Sequence, residues 1–408
     1  MLNGKHIIVG VTGGIAAYKI PELVRQLIKK GATVRVIMTK EATRFITPFT
    51  FEVLTKNHVL VDGEINDNPI AHIELADWAD LFVVTPLTAN TLAKFANGIA
   101  DNELTSTWLA FDGTKVIVPA MNVKMWNNPR TQSNLQMVQA DGVFILEPEE
   151  GFLAEGYAGK GRMMALDIQV QSIQAIDTLN ELGLSRTKMN ALKDKRILIT
   201  AGGTIEAIDP VRYIGNHSSG KMGVAISNMA ALFGAKVTLI GSQNALHLPR
   251  HQSIQTYPMN NTKELQQLIH QLVPQHDVLI MAAAVSDYHI EQPATTKIKK
   301  TNDQKNLTLN LVENPDILRS IKDQAIIKIG FAAETDHVIE YARAKRLKKG
   351  LDVIVANDVS QTTIGFNSDE NQVTIIDQKG ERNIKRQHKD GVALNILNVL
   401  TNHLKERN

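Results

Sequence analysis

The stretch "HIIVGVTGGIAAYKIPELVRQLIKKGATVRVIMT" (residues 6–39) decides the fold. A short β-branched run enters a glycine-bearing turn, passes into a helical pattern, and ends in a second β-branched run. The segment "PELVRQLIKKG" (21–31) has helical spacing and closes on a glycine, a common helix stop. Strands that read as near-continuous apolar runs and alternate with helices indicate a parallel sheet covered on both faces.

The pattern continues outward. "LFVVTP" (81–86), "KVIVPAM" (115–121) and "VFILEP" (143–148) are further strands, with helical "NTLAKFANG" (90–98) between them. Around 184–195 it breaks into "GLSRTKMNALKD", polar and strandless, which reads as a linker. It then restarts with "RILITAGG" (196–203), "KVTLIGS" (236–242), "VLIMAAAV" (278–285), "IIKIGFAAE" (326–334) and "DVIVAND" (352–358). "GVALNILNVLTNHLKER" (391–407) reads as a closing amphipathic helix. The expectation is an α/β chain of two doubly wound, Rossmann-like parallel-sheet domains, 1–188 and 189–408. Their ligands belong beyond the carboxyl ends of the strands.

Bulk composition narrows the chemistry. The 408 residues carry a net charge of +2, so nothing in bulk electrostatics favours nucleic acid or a membrane. The absence of cysteine excludes disulfides, thiolate metal sites and cysteine nucleophiles. No signal-like N-terminus and no membrane-length apolar run are present, so a cytoplasmic location is expected.

In the first half, "GVTGGIAAYK" (10–19) lets backbone approach a phosphate at a helix N-terminus. Its glycine spacing is not that of a dinucleotide site. The second strand ends at Thr39 rather than at an acidic residue for a ribose, so a mononucleotide fits better. "TPLTANTLAKFANGIADN" (85–102) clusters small hydroxyls at a strand end, of which capping by Thr88 or Asn90 explains one. "PAMNVKMWNNP" (119–129) places Asn122 where an amide holds a carboxylate or a flavin edge, and His72 lies in "AHIELADWAD". On their own, His72 reads as structural and the Met/Trp stripe as core.

Together, in this order, these motifs resemble the flavin-dependent cysteine decarboxylases, which implies a flavodoxin-like first domain binding FMN. The resemblance implies that Gly13, Gly14, Ile15, Thr39, Thr85, Pro86, Leu87 and Thr88 hold the cofactor. It makes His72 the catalytic base and Asn122 the holder of the substrate carboxylate. "GFLAEGYAGKGRM" (151–163) matches the family's flexible substrate flap, whose proton-donating cysteine is here Glu155. A glutamate serves as that acid only if burial raises it toward neutrality.

In the second half, "GNHSSGK" (215–221) mimics a phosphate loop, but Met222 stands where a Mg²⁺-binding hydroxyl is needed. What remains is a Gly/Ser loop opening a helix. "AAAVSDY" (282–288) puts Asp287 at a strand tip, and "KIKK" (297–300) and "ARAKRLKKG" (342–350) are basic clusters whose default reading is solvated surface. "ENPDIL" (313–318), "GFAAET" (330–335), "VAND" (355–358) and "GFNSDEN" (365–371) supply further strand-end polar groups. This half resembles the phosphopantothenate–cysteine ligases, and the order of halves resembles the bifunctional decarboxylase/ligase family of coenzyme A biosynthesis.

That resemblance implies CTP and Mg²⁺, an acyl-cytidylate, and then decarboxylation to 4′-phosphopantetheine. Asn216 matches the residue handling the acyl-cytidylate, and Lys297 the lysine of cysteine addition and nucleotide contact. Met281, Ala282, Ala283, Asp287, Asn314, Pro315, Asp316, Ile317, Phe331, Lys345 and Lys349 match CTP-binding positions, with Asp287 also the Mg²⁺ position. The partners implied are small molecules and further copies of the chain: trimeric decarboxylase units, dimeric ligase units, up to a dodecamer. The rival readings are the same fold with one half inactive, or a flavin-fold regulatory binding protein. The presence of His72, Asn122, Asn216 and Lys297 argues against both.

Overall fold

In the computed structural model the first strand, β1 (His6–Val11), is joined to β2 (Thr33–Met38) through the helix Ile20–Lys29. That helix buries Ile20, Leu23, Val24 and Leu27, one stripe at helical spacing, and starts with Pro21 in its first turn, where no N–H partner is needed. The structure describes residues 2–63, 68–184, 189–299, 306–360 and 368–407. Residues 185–188 of the linker, Lys300 and residues 365–367 lie outside the described residues. The chain divides into two units, Met1–Glu181 and Leu182–Asn408.

The first unit adds β3 (Leu60–Val61), β4 (Leu81–Leu87), β5 (Thr114–Pro119) and β6 (Phe144–Ile145), giving a sheet of order β3-β2-β1-β4-β5-β6. Every pairing is parallel. All residues of β4 are buried, as a central strand covered on both faces requires. Phe82, Val84, Ile8 and Ile117 pack with Leu92, Phe95, Leu104 and Trp108 of the helices Ala89–Ala96 and Glu103–Ala110. The strand order reverses between β1 and β4, which opens a crevice at their carboxyl ends. A hairpin of β7 (Glu149–Phe152) and β8 (Ala158–Arg162) follows, starting two residues before the glycine-rich stretch expected to be a flap and spanning most of it.

In the second unit, β9 (Arg196–Ala201) opens the sheet. A small hairpin, β10 (Ile205–Ala207) with β11 (Tyr213–Gly215), follows it. Then come β12 (Lys236–Gly241), β13 (Gln255–Pro258), β14 (Val278–Met281), β15 (Tyr288–Ile290), β16 (Leu311–Glu313), β17 (Ile327–Glu334) and β18 (Val353–Asp358). The last strands are β19 (Glu370–Asp377) and β20 (Gly380–His388). The main sheet has the order β13-β12-β9-β14-β17-β18-β19-β20, and its switch point lies between β9 and β14.

The expected wholly parallel sheet holds only as far as β18; β19 and β20 are antiparallel. Their turn closes over two residues, with Gly380 at φ +132° and Asp377 Oδ1 accepting from the Lys379 N–H at 2.8 Å. The C-terminal helix Lys389–Arg407 packs against the helix Lys221–Leu232 and buries Val392, Ile396, Leu397, Val399, Leu400 and Leu404. Among the described residues no helix is long and apolar enough to cross a membrane.

Candidate functional site

Thr12, wholly buried just after β1, ties the first crevice together. Its Oγ1 donates to the Pro86 carbonyl at 2.6 Å and accepts from the Thr88 N–H at 3.0 Å. The loops following β1 and β4 are thereby locked across the switch point. A Cβ on Gly13 would lie 2.5 Å from Glu41 Cβ, so only glycine passes there. Gly14 meets nothing nearer than 3.9 Å, which leaves its backbone approachable, and Ile15 beside it is exposed.

Thr88 caps the helix Ala89–Ala96, its side chain accepting from the Thr91 N–H. Thr39 follows β2, and its Oγ1 is buried with no hydrogen-bond partner among the described residues. A buried hydroxyl left unpaired costs about 1–3 kcal/mol, which a ligand atom there would relieve. Thr85 behaves differently: its hydroxyl donates to Gln169 Oε1 at 3.1 Å, inside the fold. Pro86, joined to Thr85 by a cis peptide bond, and Leu87 are buried in β4. With their side chains turned into the fold, Thr85–Leu87 offer backbone rather than side chains to a ligand.

The β7–β8 hairpin is docked on the loop after β5. The Met121 N–H donates to the Gly161 carbonyl at 3.0 Å, and Cβ atoms on Gly159 and Gly161 would meet Val123 and the Met121 carbonyl at 2.9 and 2.1 Å. This docking brings the hairpin tip onto Asn122. Asn122 Oδ1 accepts from the Lys124 N–H at 2.8 Å, which fixes the amide, and its Nδ2 donates to the Tyr157 phenol oxygen at 2.5 Å. The same amide holds the Glu155 carboxyl below the ordinary glutamate value. That direction is opposite to the one an acid role for Glu155 requires: Glu155 is exposed, and its amide neighbour favours the charged form.

His72 lies on the helix Ala71–Trp78, and its Nδ1 is 3.8 Å from Glu103 Oε2, an ion-pair distance too long for a hydrogen bond. Glu103 Oε2 is buried and makes no hydrogen bond among the described residues. The cleft beside them, about 410 Å³, is lined by Asp62, Gly63, Pro69, His72, Asp101, Asn102, Glu103 and Ser106. None of the other predicted site residues lines it.

The second unit gathers its predicted residues far more completely. One cavity of about 550 Å³ at the β9/β14 switch point is lined by Asn216, Met281–Ala283, Asp287, Asn314–Ile317, Phe331, Lys345 and Lys349. Threonines again fix the loop: Thr200 Oγ1 accepts from the Ala283 N–H at 3.0 Å and Thr204 Oγ1 from the Ser286 N–H at 2.9 Å. Asn314 Nδ2 donates to the Ser286 carbonyl at 2.9 Å, and Asn216 Nδ2 to the Val285 carbonyl at 2.9 Å. Lys345 Nζ donates to the Phe331 carbonyl at 3.0 Å; burial, then the Lys349 charge, pull its pKa down. Lys349 pairs with Asp316 at 3.2 Å.

Lys297 does not line this cavity. It is exposed on a segment pinned by the Ile298 N–H to Asp209 Oδ2 at 3.2 Å and by Arg212 to the Ile298 carbonyl at 2.9 Å. Asp287 has no companion ligands: among the described residues no group of three or more His, Cys, Asp or Glu could hold a metal by itself. One carboxylate suits a Mg²⁺ shared with substrate phosphates rather than a protein cage.

Sequence reasoning missed several lining groups. Ser286 and Asn357 each present a buried oxygen with no hydrogen-bond partner among the described residues, and Ser286 is only 3% exposed. Both stand in quoted strand-end motifs. Lys389 reaches the cavity from the C-terminal helix, and its burial and the Lys221 charge lower it to about 8. No local pattern marks it.

Comparisons with known proteins agree over both units. Residues 1–176 match the Flavoprotein family, and residues 192–404 match the DNA/pantothenate metabolism flavoprotein C-terminal domain. The chain is 41% identical over 402 residues to the coenzyme A biosynthesis bifunctional protein CoaBC of Vibrio parahaemolyticus, covering 97% of this chain and 98% of that protein. The CoaBC proteins of Bacillus subtilis and Escherichia coli K12 are each 40% identical, covering 94% and 100% of this chain and 93% and 99% of theirs. With two ordered domain matches and near-complete coverage at this identity, the chain belongs to the CoaBC family of bifunctional coenzyme A biosynthesis enzymes.

Proposed function

We propose that residues 189–408 ligate cysteine to 4′-phosphopantothenate using CTP and Mg²⁺, and that residues 1–188 decarboxylate the product with FMN. The cavity at the β9/β14 switch point carries this reading: every expected CTP-binding residue except Lys297 lines it.

In the ligase step a substrate carboxylate oxygen attacks the α-phosphorus of CTP and pyrophosphate leaves. Lys345 and Lys349 offset the triphosphate charge, Asp287 would hold Mg²⁺ together with the substrate phosphates, and the unpaired Ser286 and Asn357 oxygens meet ligand donors. Asn216 positions the acyl-cytidylate. Cysteine's amine then attacks the acyl carbon, CMP departs, and the amine loses a proton. Lys297, outside the cavity on its exposed segment, is assigned to that addition by the family resemblance alone. Lys389 and Lys221, the latter paired with Asp369 at 2.6 Å, form a second basic position suited to the phosphate monoester of 4′-phosphopantothenate.

In the first unit the backbone near Gly13–Ile15, the Thr39 hydroxyl and the Thr88 end of the helix Ala89–Ala96 hold FMN. FMN, when bound, accepts and returns the two electrons that make the substrate's carboxylate a leaving group. Asn122 holds that carboxylate and His72 takes the thiol proton. Because the His72 cleft contains none of the other residues, copies of the chain complete the site between them, as trimeric decarboxylase units would. Small molecules are the substrates, ligase units pair as dimers, and the enzyme works in the cytoplasm.

The test is product analysis with FMN, CTP, Mg²⁺, 4′-phosphopantothenate and cysteine. Stoichiometric CMP, pyrophosphate, CO₂ and 4′-phosphopantetheine are expected. A colourless protein inert in that assay would refute the reading.

A further inference from the structure

Loss of CO₂ leaves an electron pair on the carbon that bore the carboxylate. In the oxidised substrate this carbon neighbours a thioaldehyde, so the pair delocalises as an enethiolate. To reach a saturated thiol, that carbon must form a C–H bond with a proton, and bound FMN would supply the hydride that the sulfur-bearing carbon then needs. The proton donor must stand where the carboxylate stood, beside its holder.

Two side chains of the β7–β8 hairpin reach that holder, Asn122. One is Glu155, kept ionised by the amide and so without a proton to give. The other is Tyr157, whose oxygen accepts from Asn122 Nδ2 at 2.5 Å. A phenol is both donor and acceptor, and accepting this bond leaves its O–H hydrogen free to point elsewhere.

Resting on the reading that this unit decarboxylates a carboxylate held by Asn122, we propose that the Tyr157 hydroxyl delivers the proton to the carbon that has lost CO₂. The O–H bond breaks, the C–H bond forms, and the phenolate left behind accepts a strengthened hydrogen bond from Asn122 Nδ2. Tyr157 is 38% exposed, so solvent restores its proton between turnovers. The docking of Gly161 on Met121 fixes the hairpin that carries it. Tyr157 thus takes over the work of the thiol that this chain lacks, and Glu155, exposed and ionised beside the Asn122 amide, has no part in the proton transfer.

The holoenzyme and its Tyr157→Phe and Glu155→Gln variants decide this in an anaerobic single turnover on 4′-phosphopantothenoylcysteine. Flavin absorbance, released CO₂ and product mass are followed, with ligase activity as the fold control. In Tyr157→Phe, CO₂ release and flavin bleaching stay within about threefold of wild type. Return of the flavin colour slows at least about 100-fold, the scale of a lost general acid, and a product two hydrogens lighter accumulates. In Glu155→Gln the colour returns as in wild type and the product is saturated.

A second readout needs no turnover. Fluorine NMR of flavin-free protein with 3-fluorotyrosine at Tyr157 should show a resonance that moves on Asn122→Ala. Wild-type colour return in Tyr157→Phe, the lighter product from Glu155→Gln, a Tyr157→Phe block before CO₂ release, or an unmoved resonance would each overturn the proposal. A wild-type enzyme that releases no CO₂ would instead refute the decarboxylase reading.

Discussion

Substituting Gly161 by alanine should disable one half of this enzyme and spare the other. A Cβ at Gly161 falls 2.1 Å from the Met121 carbonyl oxygen and 3.3 Å from both Met121 C and Val123 N. All three are backbone atoms, so no rotamer relieves the overlap and the hairpin must lift by an ångström or more. Overpacking of this kind costs about 1–3 kcal/mol. Lifting also breaks the 3.0 Å bond from the Met121 N–H to the Gly161 carbonyl, worth about 1 kcal/mol. The docked hairpin thus loses about 2–4 kcal/mol, which predicts a fall of about 30- to 1,000-fold in completed decarboxylation. The assay is CO₂ release and 4′-phosphopantetheine formation from 4′-phosphopantothenoylcysteine. CTP-dependent pyrophosphate release in the same sample is the internal control, expected within about twofold of wild type. Gly151→Ala is the matched variant: its nearest neighbour is Arg162 Cδ at 3.3 Å, part of a flexible side chain that can give. Equal decarboxylation by the two variants would refute the claim that hairpin docking positions the reacting groups.

Thr12→Val removes a hydroxyl that satisfies both the Pro86 carbonyl and the Thr88 N–H. The Pro86 carbonyl keeps the Thr12 N–H at 3.4 Å, but the Thr88 N–H is left unpaired, which should cost about 1–3 kcal/mol and weaken FMN retention, measured by thermal unfolding and by flavin fluorescence on dilution. Lys345→Met should lower CTP affinity by about 10- to 100-fold, the worth of one charge-assisted hydrogen bond, read by calorimetric titration; unchanged affinity would remove Lys345 from the triphosphate site. Lys389 titrates at about 8 in the free protein because burial and the Lys221 charge disfavour its cation. A bound phosphate monoester raises it again, so affinity is full below pH 8 and falls as the pH rises above it. Calorimetry at about pH 8.5 in buffers of different ionisation enthalpy should then show net proton uptake on 4′-phosphopantothenate binding, absent in Lys389→Met.

Both sheets were legible because their central strands, such as β4 and β14, are buried on both faces and read as unbroken apolar runs. The hairpin β19–β20 escaped notice because it lies at the edge: "GERNIKRQH" (380–388) has no buried residue and carries four basic or acidic groups in its first seven positions. The ligase cavity was readable because much of its lining, such as Met281–Ala283, Asn314–Ile317 and Asn216, sits in polar or small-residue motifs at strand ends. Lys389 was not, since only the fold brings the C-terminal helix there. Thr12 was hidden by its ordinariness, a threonine between glycine-rich neighbours whose hydroxyl bonds cross 74 and 76 positions of sequence. Glu155 was located by motif, but its protonation depends on exposure and on the Asn122 amide, which sequence does not reveal. Tyr157 stood two residues away, unremarked, because phenols in glycine-rich loops carry no motif of their own.

The bifunctional claim is tested most directly by following both nucleotide and carbon through one sample. Purified enzyme with FMN, CTP, Mg²⁺, 4′-phosphopantothenate and carboxyl-labelled cysteine should release labelled CO₂ and CMP in equal amounts and yield saturated 4′-phosphopantetheine. CMP formed without labelled CO₂, or labelled CO₂ without CTP consumption, would contradict the account.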